Sequence, residues 1–372
     1  IYSAALEKGY TLATVINDAP IIIENPSDNS IWRPQNDTRK FYGPTRLRTA
    51  IMQSRNLVSI RLLALMGLNY TFDYLKRFGF ISSQLPQGLS LALGTALVTP
   101  LQMAQAYAVF ANGGSRIVPY AIDSIHNSQN EVIYKARPQV ACDPNCDKLQ
   151  AAAPRVISAQ NAFLITSALQ DVIQHGTASE ARVLKRSDLA GKTGTTQNQV
   201  DAWFAGYNPD LVTISWMGFD APQSLHEYGA KAALPLWMQF MQAALQNRPI
   251  HNPAVPEGIV RIAIDPMTGK RADAGNPLAI SEYFMEPYVP SDDQQPGTPV
   301  ASQDPAADEP AAEPGRRGRR LHGRQPHDRG AARPTGDRWP RGPARSGTQP
   351  RRPAVPVRQR PLRARQAGHP RH

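Results

Sequence analysis

The chain has 372 residues, with 41 Lys and Arg against 30 Asp and Glu, a formal charge of +11. Seventeen arginines, two aspartates and no lysine lie in residues 315–372, so residues 1–314 keep 24 basic and 28 acidic side chains, a net of −4. This mildly acidic part gives no electrostatic case for nucleic-acid binding, no run of 18 apolar residues suggests a transmembrane helix, and two cysteines without a nearby histidine exclude a tetrahedral zinc site.

Ile1, Ala4, Ala5 and Lys8 keep helical spacing up to Gly9. They read as the end of a helix whose beginning is missing, in a chain that starts at Ile1 and shows no signal peptide. Prolines 20, 26 and 34 then punctuate a polar loop. Gly43-Pro44 is expected to open a helix with Leu47, Ala50, Ile51 and Ser54 on one face. Ser54-Arg55-Asn56 interrupts it, a second amphipathic stretch runs from Leu57 to Met66, and a third runs from Thr71, as N-cap, to Phe78. Leu89 to Ala111, broken at Thr99-Pro100, reads as a buried two-part segment whose second part, Pro100 to Phe110, is helical. Residues 117–135 alternate about a turn at 127–130 and read as a hairpin, and 136–157 as loop. Cys142 and Cys146 leave a local disulfide and idle thiols equally open.

Ser158 caps a helix through Ile173, with Ala162, Ile165, Leu169 and Val172 inward. Residues 187–219 follow: an edge strand carrying Lys192-Thr193-Gly194-Thr195-Thr196, then a hairpin of Ala202–Tyr207 and Leu211–Phe219 about Asn208-Pro209-Asp210. Such a strand can pair with an extended peptide and hold its carboxylate through ammonium and hydroxyls. Pro235 is expected to start a helix with Trp237, Phe240, Met241 and Leu245 on one face, and Ile259–Arg271 to form a last small hairpin. Residues 286–314 read as a Pro/acidic linker. No cofactor fingerprint, phosphate-binding glycine loop or metal-ligand spacing is present, so no cofactor and no metal are expected.

K-T-G, with S-x-x-K and S-D-N, is the signature of penicillin-binding proteins and class A β-lactamases. With GYTLATVINDAPI, GPTRLRTAIMQSRN, SLALGTALVTPLQMAQAYAVFANGG, GKTGTTQNQVDAWFAGY and GIVRIAIDPMTGKRA, residues 1–285 resemble the transpeptidase domain of class A bifunctional penicillin-binding proteins, 1A-like. The resemblance implies an α+β fold of the penicillin-binding protein/serine β-lactamase type, an antiparallel sheet with helices on both sides and its N-terminal strands missing. It implies a peptidoglycan D,D-transpeptidase that cross-links stem peptides through an acyl-serine, binds β-lactams and faces the periplasm at the bacterial inner membrane. The alternatives are a D,D-carboxypeptidase or β-lactamase-like hydrolase, or a non-catalytic remnant.

Lys192, Thr193, Gly194, Thr195 and Thr196 become the carboxylate clamp. Three S-x-N sequences compete for the proton relay: Ser27-Asp28-Asn29 in a proline-rich loop, Ser54-Arg55-Asn56 between two helices, and Ser128-Gln129-Asn130 at a hairpin turn. The family places the motif between two helices, which selects Ser54 and Asn56. No S-x-x-K occurs in the chain. In the family it starts the helix that ends at Ile1–Lys8, so the nucleophile, its lysine, the membrane anchor and the glycosyltransferase domain are expected upstream, and this fragment alone is expected to be inactive. His175-Gly176-Thr177 reads as a loop bordering the site or simply a helix cap, and Trp203 as core rather than ligand platform. Residues 315–372, Arg/Pro-rich and unable to bury a core, read as disordered. They suggest GC-rich codons translated out of frame, with a phosphate- or anionic-surface-binding arm as the alternative.

Overall fold

In the computed structural model, residues 1–24, 30–142, 151–273 and 275–290 are described. Helix α1 (Tyr2–Glu7) buries Ala4, Ala5 and Leu6. Strand β1 (Val15–Asp18) pairs antiparallel with β4 (Gly43–Arg46), and the short β2 (Ile23–Glu24) with β3 (Ile31–Trp32). The sequence suggested that Gly43-Pro44 would open a helix; instead these residues are strand, and α2 (Leu47–Met52) begins after them. Tertiary pairing sets that start: the free N–H groups of Leu47 and Arg48 donate to Thr14 O and Leu12 O at 2.9 and 3.0 Å.

Helix α3 (Asn56–Met66) follows, then α4 (Leu68–Arg77). The expected cap at Thr71 is corrected. Gly67, at φ +87°, separates the two helices, and Thr71 sits inside α4 with its hydroxyl bonded back to Gly67 O at 2.9 Å. Helix α5 (Pro100–Ala111) starts with a capping box in which Thr99 and Gln102 bond each other's backbone N–H at 3.2 and 2.8 Å. The segment around it lies nearer the surface than expected, because only one face of α5 meets the core; Leu97 is 92% exposed and Leu101 61%. Strands β5 (Ser124–His126) and β6 (Val132–Lys135) form the expected hairpin.

The centre of the molecule is α6 (Ala159–Gln174) and an antiparallel sheet ordered β7 (Ala190–Thr195), β8 (Ala202–Asn208), β9 (Leu211–Met217). The inward face of α6 expected from spacing is buried in full. Successive residues of β8 address opposite sides. Phe204 meets Trp237 of α7 (Gly229–Ala244) with ring centroids 4.8 Å apart, while Tyr207 bonds Thr166 of α6 at 2.9 Å and meets Tyr107 of α5. Helices therefore cover both sides of an antiparallel sheet, as the resemblance implied.

Helix α7 begins six residues before the expected Pro235, which lies inside it. Burial of Ala233, Leu234, Trp237 and Met241 overrides the local cost of proline, while Phe240 is turned outward, 51% exposed. Strand β10 (Ile259–Ile264) pairs with β11 (Ile280–Met285), not with the nearby Lys270-Arg271, which supplies one bridge at Arg271. Fully buried Ile264 and Phe284, packed with Ala13, favour the distant partner. None of the described helices is long and apolar enough to cross a membrane. Cys142 is disulfide-bonded, and Cys146 lies outside the described residues.

A buried ion cluster ties these parts together. Arg48 of α2 donates to Glu282 of β11 through Nε and Nη2 at 2.7 and 2.6 Å, and to Asp171 of α6 through Nη1 at 2.7 Å. Arg46 adds a 3.5 Å contact to the same Glu282.

Gly206 is a sharp test of the central packing. A Cβ there would stand 2.7 Å from the rings of both Phe204 and Trp237. Gly206→Ala is expected to cost about 1–3 kcal/mol, read as a lower urea midpoint with an unchanged slope. An unchanged midpoint would mean that this contact is slack.

Candidate active site

Two chain segments 138 residues apart meet at one hydrogen bond: Lys192 Nζ donates to Ser54 Oγ at 2.9 Å. Ser54 occupies the three-residue joint between α2 and α3. The backbone turns there because Ser54 takes φ +54°, a left-handed conformation that costs a non-glycine residue energy and recurs at functional sites. Backbone bonds from Ser54 N to Ile51 O (3.2 Å) and Arg55 N to Ala50 O (2.9 Å) hold the turn, and the Arg55 guanidinium lies 3.2 Å from the Tyr42 ring centroid. Ser54 is exposed. Asn56 opens α3, and its Nδ2 donates to Gln35 O at 2.9 Å.

Lys192 lies on β7, which pairs only with β8 and forms one edge of its sheet among the described residues. Its ammonium also donates to Thr193 O at 3.0 Å. It is half-buried, and desolvation pulls its pKa down to about 8. None of the ion pairs among the described residues involves it, so an arriving anion would be its counter-ion.

The remaining strand residues have distinct partners. Thr193 Oγ1 bonds Thr177 Oγ1 at 2.7 Å. Gly194 leaves the strand narrow; a Cβ there would come within 3.1 Å of Trp203 Cβ. Thr195 is exposed, and its Oγ1 accepts from Gly229 N at the start of α7 at 3.0 Å. Thr196 closes the turn into β8: it accepts from Asp201 N at 2.8 Å and donates to Asp201 Oδ2 at 3.3 Å. Asp201 in turn accepts from Trp216 Nε1 at 3.0 Å, and Trp203 is half-buried with its ring 6.0 Å from that of Trp216.

The structure thus brings Ser54 and Lys192 into contact, with Thr193, Gly194 and Thr195 alongside on β7 and Asn56 on the other arm of the joint. Ser27-Asp28-Asn29 lies outside the described residues. Ser128 and Asn130 belong to the β5–β6 turn, which Asn127 Oδ1 closes by accepting from Gln129 N and Glu131 N at 3.0 and 2.9 Å. Sequence reasoning missed Gly229, whose N–H orients the Thr195 hydroxyl. A surface cleft of about 440 Å³ between α6 and residues 182–187 contains none of these groups.

The penicillin binding protein transpeptidase domain family matches residues 1–242. Penicillin-binding protein 1A of Pseudomonas aeruginosa is 44% identical over an alignment of 329 residues, covering 78% of this chain and 40% of that protein. Penicillin-binding protein 1A of Vibrio cholerae is 41% identical with the same coverage. The crystal structure of penicillin-binding protein 1A from Haemophilus influenzae is similar at TM-score 0.73 and 39% identity, over 78% of this chain and 47% of that one. The chain spans about 40% of the length of these two curated relatives. An antiparallel sheet between helices, a K-T-G strand at its edge, a serine joint against that strand's lysine and relatives of this closeness agree: the chain belongs to the penicillin-binding protein transpeptidase family and is similar to its 1A members.

Proposed function

We propose that this chain supplies the proton relay and the carboxylate clamp of a peptidoglycan D,D-transpeptidase. The observation that carries the reading is the 2.9 Å bond from Lys192 to Ser54 beside an open strand edge. A stem peptide ending in D-alanine pairs along β7, its terminal carboxylate gripped by the Lys192 ammonium and the Thr195 hydroxyl. A serine oxygen attacks the preceding carbonyl carbon while the lysine of its own S-x-x-K motif takes the serine proton, an ester forms and the C–N bond to the last residue breaks. The departing amine needs a proton. Ser54 can deliver it, because its oxygen already accepts from Lys192 and its own O–H is left to donate. Asn56 Nδ2 is held by Gln35 O at 2.9 Å, and in this reading its side-chain oxygen takes an N–H of the bound peptide. An amine from a second peptide then displaces the serine and closes the cross-link.

The attacking serine and its lysine belong to an S-x-x-K that residues 1–372 do not contain, and we place them in sequence preceding Ile1. The position of α1 supports this. Tyr2 OH bonds Ser59 Oγ at 2.8 Å, and Ser59 Oγ bonds Arg55 O at 3.1 Å, so chain entering α1 passes close to the Ser54 joint. In this reading the upstream part also brings the glycosyltransferase domain and the anchor that holds the enzyme at the periplasmic face of the inner membrane. The linker expected from residue 286 starts later, since Glu286 N bonds Gly258 O at 2.9 Å and Val289 packs against Ala13, Ile264 and Phe284; residues 315–372 take no part in catalysis.

The test joins the chain to the upstream sequence of its own gene and treats it with a fluorescent β-lactam. A covalent label, blocked by excess unlabelled penicillin and reduced roughly 10²-fold or more by Ser54→Ala, is expected. An unlabelled protein rejects the assignment.

A further inference from the structure

The loop His175-Gly176-Thr177 has a role that helix capping does not account for. The C-terminus of α6 is closed by backbone bonds alone: His175 N to Asp171 O (2.8 Å), Gly176 N to Val172 O (3.2 Å) and Ala178 N to Val172 O (3.0 Å). The Thr177 hydroxyl takes no part in that cap; it reaches Thr193 Oγ1 at 2.7 Å, next to Lys192 on β7. The same loop is pressed against the end of α2. Thr177 N donates to Met52 O at 3.3 Å, and Gln53 Nε2 to His175 O at 3.2 Å. A Cβ at Gly176 would fall 2.3 Å from Met52 O, which leaves room there only for glycine. Met52 and Gln53 are the two residues immediately before Ser54.

These contacts close a ring. It runs from Ser54 to Lys192 through their hydrogen bond, one residue along β7 to Thr193, across the hydroxyl pair to Thr177, and through Met52 back to Ser54. We propose that Thr177 is a positioning residue that fixes the distance between the serine joint and the lysine of the clamp strand. The inference rests on the relay and clamp reading of Ser54 and Lys192 and adds what holds the two segments together. No other side-chain hydrogen bond among the described residues links this loop to β7, so the hydroxyl at position 177 carries the link. Valine matches threonine in shape and loses only that bond.

The test uses the chain continued upstream by its own gene and measures β-lactam acylation as a limiting rate and an apparent dissociation constant. Thr177→Val is expected to lower the limiting rate about 10-fold, with the dissociation constant and the melting temperature nearly unchanged. Thr177→Ser restores the rate to within about twofold. Thr193→Val gives a similar loss, and Thr177→Val/Thr193→Val loses no more than the worse single variant, since one bond is removed in every case. A second measurement needs no acylation: the NMR titration of the Lys192 ammonium, whose midpoint rises from about 8 toward 10.5 in Thr177→Val as the side chain gains solvent.

A Thr177→Val protein with wild-type rate and wild-type Lys192 midpoint overturns the proposal. So do losses that multiply in the double variant, or a fall in melting temperature that serine does not repair, which would make the residue merely structural. If the parent protein fails to acylate while the Lys192 midpoint moves as expected, the transpeptidase reading fails and the positioning role stands.

Discussion

Lys192→Met is expected to lower β-lactam labelling of the upstream-restored protein by roughly 10²- to 10⁴-fold without destabilising it at pH 7. The ammonium is half-buried, has no carboxylate partner among the described residues, and has a pKa brought down to about 8 by desolvation. A bound carboxylate would supply that counter-ion. The pH dependence follows from the same shift. Below about 8 the lysine is charged and can grip a carboxylate; as the pH rises through 8 it loses its proton, and labelling falls on an alkaline limb well below the 10.5 of a free lysine. Stability runs the other way. The unfolded chain holds this proton up to about 10.5 and the folded chain only to about 8, so between those values the unfolded state binds more protons and folding is increasingly favoured as pH rises. The methionine variant lacks both the alkaline limb and this gain. A variant that labels within tenfold of wild type, or a wild-type limb centred near 10.5, would remove Lys192 from the clamp.

Glu282→Ala is expected to produce the largest loss of stability, about 3–5 kcal/mol. Glu282 is 1% exposed and receives two short bonds from Arg48, which is itself only 14% exposed. Deleting the carboxylate leaves Arg48 with Asp171 and Ser167 alone and a buried charge incompletely matched. A fall in melting temperature on the order of 10 °C follows for a domain of this size. Replacing both partners, Arg48→Met with Glu282→Leu, is expected to cost much less, because the desolvation penalty of both charges goes with them. A loss under 1 kcal/mol for Glu282→Ala would mean that water already shares the cluster.

The residues of the candidate site were legible as a strand and a helix break because their local signals and their places in the fold coincide. Lys192–Thr195 is a strand by its own β-branched hydroxyls and the hairpin that follows it, Thr196 closes the turn out of it, and Ser54 marks a break between two amphipathic runs. Hydrophobic spacing alone placed the inward face of α6. Reading failed where a local signal was overruled from a distance. Gly43-Pro44 looks like a helix start, yet β1 claims those residues for a ladder. Asp265-Pro266 and Thr268-Gly269 look like a hairpin turn, and Asp265 does close it by accepting from Met267 N and Thr268 N at 2.9 Å, but the strand that matters returns only at Ile280. Pro235 seemed to begin a helix whose first turn is instead set by Gly229 and its neighbours against β7 and β8. Glu282, Asp171 and Arg48 share no spacing that could announce an ion cluster, because three separate elements bring them together.

The bond between Gly229 and Thr195 has a chemical consequence. A hydroxyl can donate only once, and the main-chain N–H of Gly229 already occupies one of its lone pairs. Among the described residues no acceptor takes its proton, which is therefore available toward the open side of the strand. The neighbouring ammonium also offers hydrogens only. On the proposed binding mode the two groups would form a filter of polarity: a terminus bearing oxygens alone would satisfy both, whereas one capped as an amide would bring hydrogens of its own to a place that already has them.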